Sequence, residues 1–379
     1  DNEAAYSYRS PNENILTSFV NHLGNPVTSP RIYENDACEA GGCKLLWQDA
    51  PLVSDVQLYN EGRAVRFTVS EATIQQGNAV IAVYDANNSI MWSWHIWVTD
   101  EDIAGTAEVM TGYQKSSDMM PVNLGWCDGE QIIFPQRVCK VRIKAGPEIR
   151  TFTITQNEHR IVYAGNNPYY QWGRKDPLYP AVSSQDTKYW YTSDGSISNS
   201  RPKDWFYSGS RTEWIADGIT NPEKHNISDM QAQPLYMNLW DISNVDIGVD
   251  EKTPVKSIYD PCPAGFHVPR GWEFNGFSNS GSGGGRDDLN VAGVFSRGWN
   301  FYCGLKGTGQ TIFFPATGAR FGIGILSNVG QKVLAYGSAV YGDTEGVFLL
   351  EAGPNGIYVG GAYKGGRREG ALPIRPVRE

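Results

Sequence analysis

"NAVIAVYDANNSIMWSWHIWV", residues 78–98, places two apolar runs either side of Asp-Ala-Asn-Asn. A short polar turn between runs rich in Val, Ile and Trp reads as a β-hairpin. Strand side chains alternate, so Trp92, Trp94 and Ile96 share one face while Ser93, His95 and Trp97 share the other. Tryptophan on both sides predicts a hairpin buried on one face and covered on the other. His95 is then a histidine at the edge of a core rather than a ligand.

Outward from that hairpin the pattern stays β. "GRAVRFTVS" (62–70) alternates Val65, Phe67 and Val69 with Arg66 and Thr68, the signature of a half-buried strand. "TDEDIAGTAE" (99–108) interrupts the alternation, and residues 1–105 are expected to form a β region ending there. "QRVCKVRIKAG" (136–146) and "IRTFTITQ" (149–156) alternate again around Gly146-Pro147, which predicts a second hairpin. Residues 165–250 hold many aromatics but little periodicity and read as long irregular loops. "SNSGSGGGR" (278–286) has the composition of a flexible surface loop. From 310 onward, short apolar stretches with Gly-rich turns predict an antiparallel meander. Helices are expected to be few, the best candidate following Pro269. No repeat of solenoid or propeller length is visible.

Composition agrees. Aromatics make up 12% and glycine supplies 42 of 379 residues, a mix that suits strands and turns better than helical bundles. With 40% hydrophobic and 19% charged residues the chain is globular rather than disordered. The formal net charge of −9, and a basic cluster of only Arg367-Arg368, argue against nucleic acid as a partner. The longest apolar run, around Ala79–Val83, is the length of a strand, not of a membrane span. No leader is visible, and a start at Asp1 without Met suggests a processed product.

Six cysteines fall as Cys38/Cys43, Cys127/Cys139 and Cys262/Cys303, an even count that favours disulfides in an oxidising compartment. Zinc is disfavoured, because there is no C-x-x-C and the five histidines are scattered. Phosphate-binding, nucleophile-elbow, zincin and EF-hand motifs are absent. Asp287-Asp288 and Asp343/Glu345 are weak calcium candidates, so no cofactor is expected. One stretch could carry catalysis: "SIYDPCPAGFHVPRGWEF" (257–274), where Cys262 precedes His267. Yet Pro261 and Pro263 remove neighbouring N–H donors and stiffen the backbone, which makes a poor oxyanion site and a good structural corner. In an extended segment His267 would sit on the order of 17 Å from Cys262. Scaffold is the reading, and no catalytic residue is assigned.

"YDPCPAGFHVP" resembles the "DPCPAGWRVP" signature of the fibrobacter-type major paralogous domain, found in surface proteins of Bacteroidetes. "MMPVNLGW" (119–126), "NPYYQWGRKDP" (167–177) and "LPIRPVRE" (372–379) are similar to its other landmarks, in the same order. Residues 77–100 resemble the strand pair that precedes this domain in fimbrillin-like lipoproteins. The resemblance implies a C-type-lectin-like α+β domain over 106–379 behind a β-sandwich-like module over 1–105, in a mainly β chain. It implies export to the cell surface, as an outer-membrane lipoprotein or fimbrial subunit, with any membrane contact through a removed or absent lipid anchor. Trp172, Arg174 and Asp176, with Cys262 and Pro263, become structural motif residues. Where the family usually has a cysteine near its end, this chain has Pro376, which leaves Cys303 as the fallback partner of Cys262, or leaves Cys262 free. The calcium-binding tripeptides of sugar-binding lectins are absent; "QAQPLYMNLWD" has Leu235 at the third place.

The function expected is therefore a non-catalytic adhesin or fimbria-tip-like protein binding a glycan or a host or matrix protein. The alternative is a structural fimbrial subunit whose surfaces contact its neighbours. A related lectin-like fold hosts formylglycine-generating chemistry, but the pair of reactive cysteines which that needs is not found here. Sugars without metal are held by aromatic faces and by Asn, Asp or Arg on the hydroxyls. Tyr189, Trp190, Tyr191, Trp205, Tyr207 and Asp194 are the candidate ligand residues on that basis.

Overall fold

The computed structural model describes residues 14–112, 114–129, 131–180, 190–192, 196–198, 206–207, 214–226, 236–245, 254–322, 324–340, 347–359 and 368–379. The protein is mainly β, built from many short strands in several small sheets.

Among the described residues, eleven strands lie between 42 and 162: β1 (Gly42–Gln48), β2 (Ser54–Tyr59), β3 (Ala64–Thr68), β4 (Gly77–Tyr84), β5 (Ile90–Val98), β6 (Ala107–Gly112), β7 (Lys115–Met119), β8 (Gln131–Phe134), β9 (Arg137–Ala145), β10 (Glu148–Gln156) and β11 (His159–Val162). β4 and β5 form the hairpin at residues 78–98, and β1 adds to β4 to make a three-stranded antiparallel sheet. Asp85 closes the turn: its carboxylate accepts the N–H groups of Asn87 and Ser89, and Asn88 takes the left-handed φ of 62°. β2 and β3 form a separate antiparallel pair, with Val65 and Phe67 half-buried and Arg66 exposed, as the alternation predicts.

The two faces of the β1–β4–β5 sheet meet different surroundings. Ile81, Val83, Trp92, Trp94 and Ile96 point towards the β2–β3 pair, and Trp94 on that face remains 37% exposed. The expectation that both faces are closed is therefore corrected on the Trp94 side. The opposite face lies on the rest of the chain. Trp97 donates to the carbonyl of Trp126, Trp47 packs on Tyr179, and Ser93 donates to Asp176 across 2.5 Å. One core cluster consequently combines Val83, Met91 and Trp92 with Trp172, Trp240 and Tyr336, drawing on residues before and after 105. A second core holds Phe274, Phe277, Trp299, Phe301 and Phe314.

The terminal strands at 371–372 and 377–378 are the seam of the larger part. Tyr170 and Gln171 pair with Leu372 and Ala371; Met119, Phe266 and His267 line up on Val377–Arg378. The amides of Met120 and Leu124 bond the carbonyls of Pro376 and Ile374, and Glu379 bonds Gly265. Residues 119–126, 167–177 and 259–269 thus converge on residues 371–379.

Elsewhere the structure departs from the expected meander. Val333–Val340, Val347–Gly353 and Gly356–Tyr358 do run antiparallel in succession, but Thr311–Pro315, Ala319–Phe321 and the terminal strands join three other sheets. "SNSGSGGGR" is not a loose loop: Gly283–Gly285 pairs with Gly356–Tyr358, and Asp288 accepts bonds from Ser278 and Ser280. The expected helix after Pro269 is a 3-10 helix over Gly271–Phe277. An α-helix, α1 (Trp214–Thr220), lies inside the segment read as irregular.

Candidate functional site

Short strands leave many carbonyls without a ladder partner, and buried cations collect them. Arg174 donates to the carbonyls of Gly218, Asn221, Pro222 and Lys224, at 2.6–3.3 Å, and so caps the C-terminal end of α1. Arg375, fully buried, donates to Met120, Pro121 and Phe313 carbonyls and to Asn123 Oδ1, its guanidinium 3.9 Å from the Phe314 ring centre. Arg320 does the same for Tyr179 and Gly324. Sequence reading missed Arg320 and Arg375, because most of their partners are backbone carbonyls far away in the chain, at Tyr179 for Arg320 and at Met120, Pro121 and Phe313 for Arg375.

Lys175 and Asp176 form a buried ion pair at 2.7 Å, tied to Ser93 and lying under the Trp92 ring. Burial lowers the lysine's pKa against the opposing pull of Asp176. Beside it, Asn78 donates to Asp49 and to the carbonyl of Gly125, so its Oδ1 is left to accept from His95 Nε2 at 2.9 Å. His95 Nδ1 then accepts from the Tyr170 hydroxyl at 3.0 Å. That fixes one neutral tautomer, and burial holds the histidine's pKa down to about 3. His95 and the motif residues Trp172, Arg174 and Asp176 are all structural in these contacts.

Cys262 is buried in the first core, and burial, followed by the nearby Asp260 carboxylate, pushes its thiol well up. Its N–H donates to Asp260, while Lys256 donates to the carbonyls of Cys262, Pro263 and Phe266. The segment is not extended: Phe266 N bonds Pro263 O, and Gly265 turns it with a φ of +81°. His267 Nδ1 is engaged by the Val268 carbonyl at 2.8 Å. The Lys256 ammonium pulls the thiol's pKa down, but burial and Asp260 outweigh it.

The cysteine pairings are corrected: all six are free thiols. Cys262 and Cys303 belong to different cores. Cys127 is buried against Asn78, whereas Cys139 is exposed on β9. Cys38 and Cys43 meet the same core without a bond. For calcium, Asp288 is spent on closing the 278–288 loop, and no metal-holding cluster occurs among the described residues; Asp343 and Glu345 lie outside them.

Of the nominated ligand residues, Tyr189, Asp194 and Trp205 lie outside the described residues. Trp190 and Tyr191 form a two-residue strand paired with Ile197–Ser198, and Tyr191 is half-buried. Tyr207 pairs in parallel with Asn226. Together these residues form no site that can be described.

Two openings do have defined walls. A cleft of about 930 Å³ is framed by β6, β7, the 3-10 helix and the terminal strand. Trp272, half-buried, stands in it with Glu108, Asp118, His267 and Arg378. Ser116 donates to Glu108 and Ser117 to Glu273, which fixes those carboxylates; Lys115 lies 5.6 Å from the indole centre. Trp272 follows directly on the proline-rich corner, the one sequence signal that could have found it. The second opening, about 640 Å³, is apolar and lies over Trp94 between β3 and the β4–β5 face. Tyr33 and Arg63, stacked at 5.9 Å, stand at its wall. Compared with protein-family models, with curated proteins and with solved structures, the chain matches none.

Proposed function

We propose that this chain is a non-catalytic binding protein of the cell surface, an adhesin or fimbria-tip-like subunit, with a lectin-like domain behind a β-sandwich-like module. Its ligand is a glycan held in the cleft around Trp272. The observation that carries the reading is that the Trp272 indole shares one cleft with the carboxylates of Glu108, Asp118, Glu273 and Glu379 and the guanidiniums of Arg270 and Arg378, in a volume within the range of small-ligand sites. An indole face suits the C–H face of a sugar ring, and Asp118, Glu108 and Arg378 can take its hydroxyls. The buried, raised thiol of Cys262 supports binding over catalysis.

A glycan and matrix-protein binding array tests this with the wild type and Trp272→Ala. Glycan binding lost in the variant, with unfolding temperature unchanged, is the expected result; undiminished binding rejects the cleft. The apolar opening beside the edge strand β5 favours a second reading, a structural fimbrial subunit, because such a groove accepts a neighbour's strand. Polymerisation of the purified chain without glycan binding would select it.

A further inference from the structure

The hairpin of β9 and β10, carried on β8 and β11, projects from the body. Every described position of β10 and all but Val141 of β9 are exposed, and these two strands pack substantially only against each other. Registry makes the ribbon two-faced. Ile143 opposes Arg150, Val141 opposes Phe152 and Cys139 opposes Ile154, giving one face an apolar patch flanked by Arg137 with Gln156 at one end and Ala145 with Glu148 at the other. Lys140, Arg142 and Lys144 oppose Thr153, Thr151 and Ile149 on the other. Ile143, Phe152 and Ile154 are 54%, 44% and 53% exposed. An isolated two-stranded ribbon is marginal in water, and a contiguous exposed apolar face marks an interaction surface.

Charge points to the partner: Arg137 and Arg150, against Glu148, flank the apolar patch, and Lys140, Arg142 and Lys144 line the back of the ribbon. Residues 131–162 carry six Lys or Arg against Glu148 and Glu158, a surplus of four positive charges. The total of −9 therefore leaves −13 on the remainder of the chain. The basic residues alternate with apolar ones, so no run is visible in the sequence. We propose that the arm docks on the acidic body of a second copy of this chain, and that two copies exchange arms reciprocally about a two-fold axis.

Area decides for reciprocity. Nine residues per strand give a ribbon about 30 Å long and about 10 Å wide, so one face covers about 300 Å². One docked arm then buries about 600 Å² counting both surfaces, in the range of lattice contacts. Two exchanged arms bury about 1,200 Å², the lower limit of a stable interface. Only a partner that carries both an arm and an acidic acceptor doubles the contact, and a second copy does. This inference is independent of the glycan reading.

Sedimentation of the full chain over micromolar concentrations, with a photo-crosslinker on Cys139, the exposed thiol, tests it. The expected results are a dimer, weakened at least about tenfold by Phe152→Lys with Ile154→Lys, and cross-links to peptides outside 131–162. Both changes sit on exposed positions, and an unchanged near-UV spectrum confirms the fold of the variant. A monomer throughout, a dimer indifferent to the substitutions, or cross-links confined to 131–162 would each overturn the proposal. So would arm-dependent binding to anionic vesicles by a chain that stays monomeric.

Discussion

Arg375 shows what single residues do in this protein. Its guanidinium serves three carbonyls and one amide oxygen at 2.8–3.2 Å, at a point no solvent reaches. Arg375→Met should cost at least about 3 kcal/mol, because each orphaned acceptor carries its full desolvation penalty; chemical denaturation measures it. Histidines set an acid limit. Burial, then the charges of Arg174 and Arg320, hold His225 down to about 3, and burial does the same for His95. Below 6.5 the unfolded chain takes these protons and the folded chain refuses them, so stability falls as pH drops from 6.5 towards 3. His225, completely enclosed, contributes about 1.4 kcal/mol per pH unit, and the half-buried His95 a smaller share. Urea midpoints near neutral pH and about two units lower should show the fall; a flat profile would contradict the burial of both rings. Thiols offer a third check. Native alkylation should take Cys139 first and leave Cys38, Cys127, Cys262 and Cys303, which are buried, until the chain unfolds.

Elements were legible to the extent that they explain themselves locally. The β4–β5 and β9–β10 hairpins follow from alternation plus a turn, and both turns are where Asp85 and Gly146-Pro147 put them. Alternation says which side chains share a face but not what covers it. Hence the gap over Trp94 and the bare faces of β9 and β10 came only from the structure. α1 was hidden because seven residues are too few to establish a period and Gly218 with the β-branched Ile215, Ile219 and Thr220 lowers helix propensity, and its stop is supplied from outside, by Arg174. The proline corner was read as scaffold from its prolines, whereas its bend comes from Gly265 and its carbonyls are gathered by Lys256, neither of which the prolines announce. At this scale the arm is separable. Replacing 131–162 by a short Gly-Ser linker should leave the body's unfolding temperature within a few degrees of wild type, since the arm shares neither core; calorimetry would register a larger drop if it did.

Across the whole molecule, small sheets become one framework because distant segments return to the same place. Residues 119–126, 167–177 and 262–268 are separated by long irregular stretches, and each is stitched to 371–379 by strand pairing or by Arg375. The glycan cleft proposed around Trp272 is walled partly by this seam, so a rigid site and a stable fold have the same origin. Calorimetric unfolding of the chain truncated after residue 370 tests that most directly. The cooperative transition should disappear, because both cores lose strands or side chains to the deletion. A truncated chain that melts cooperatively at the wild-type temperature would show that the seam is not what holds the molecule together.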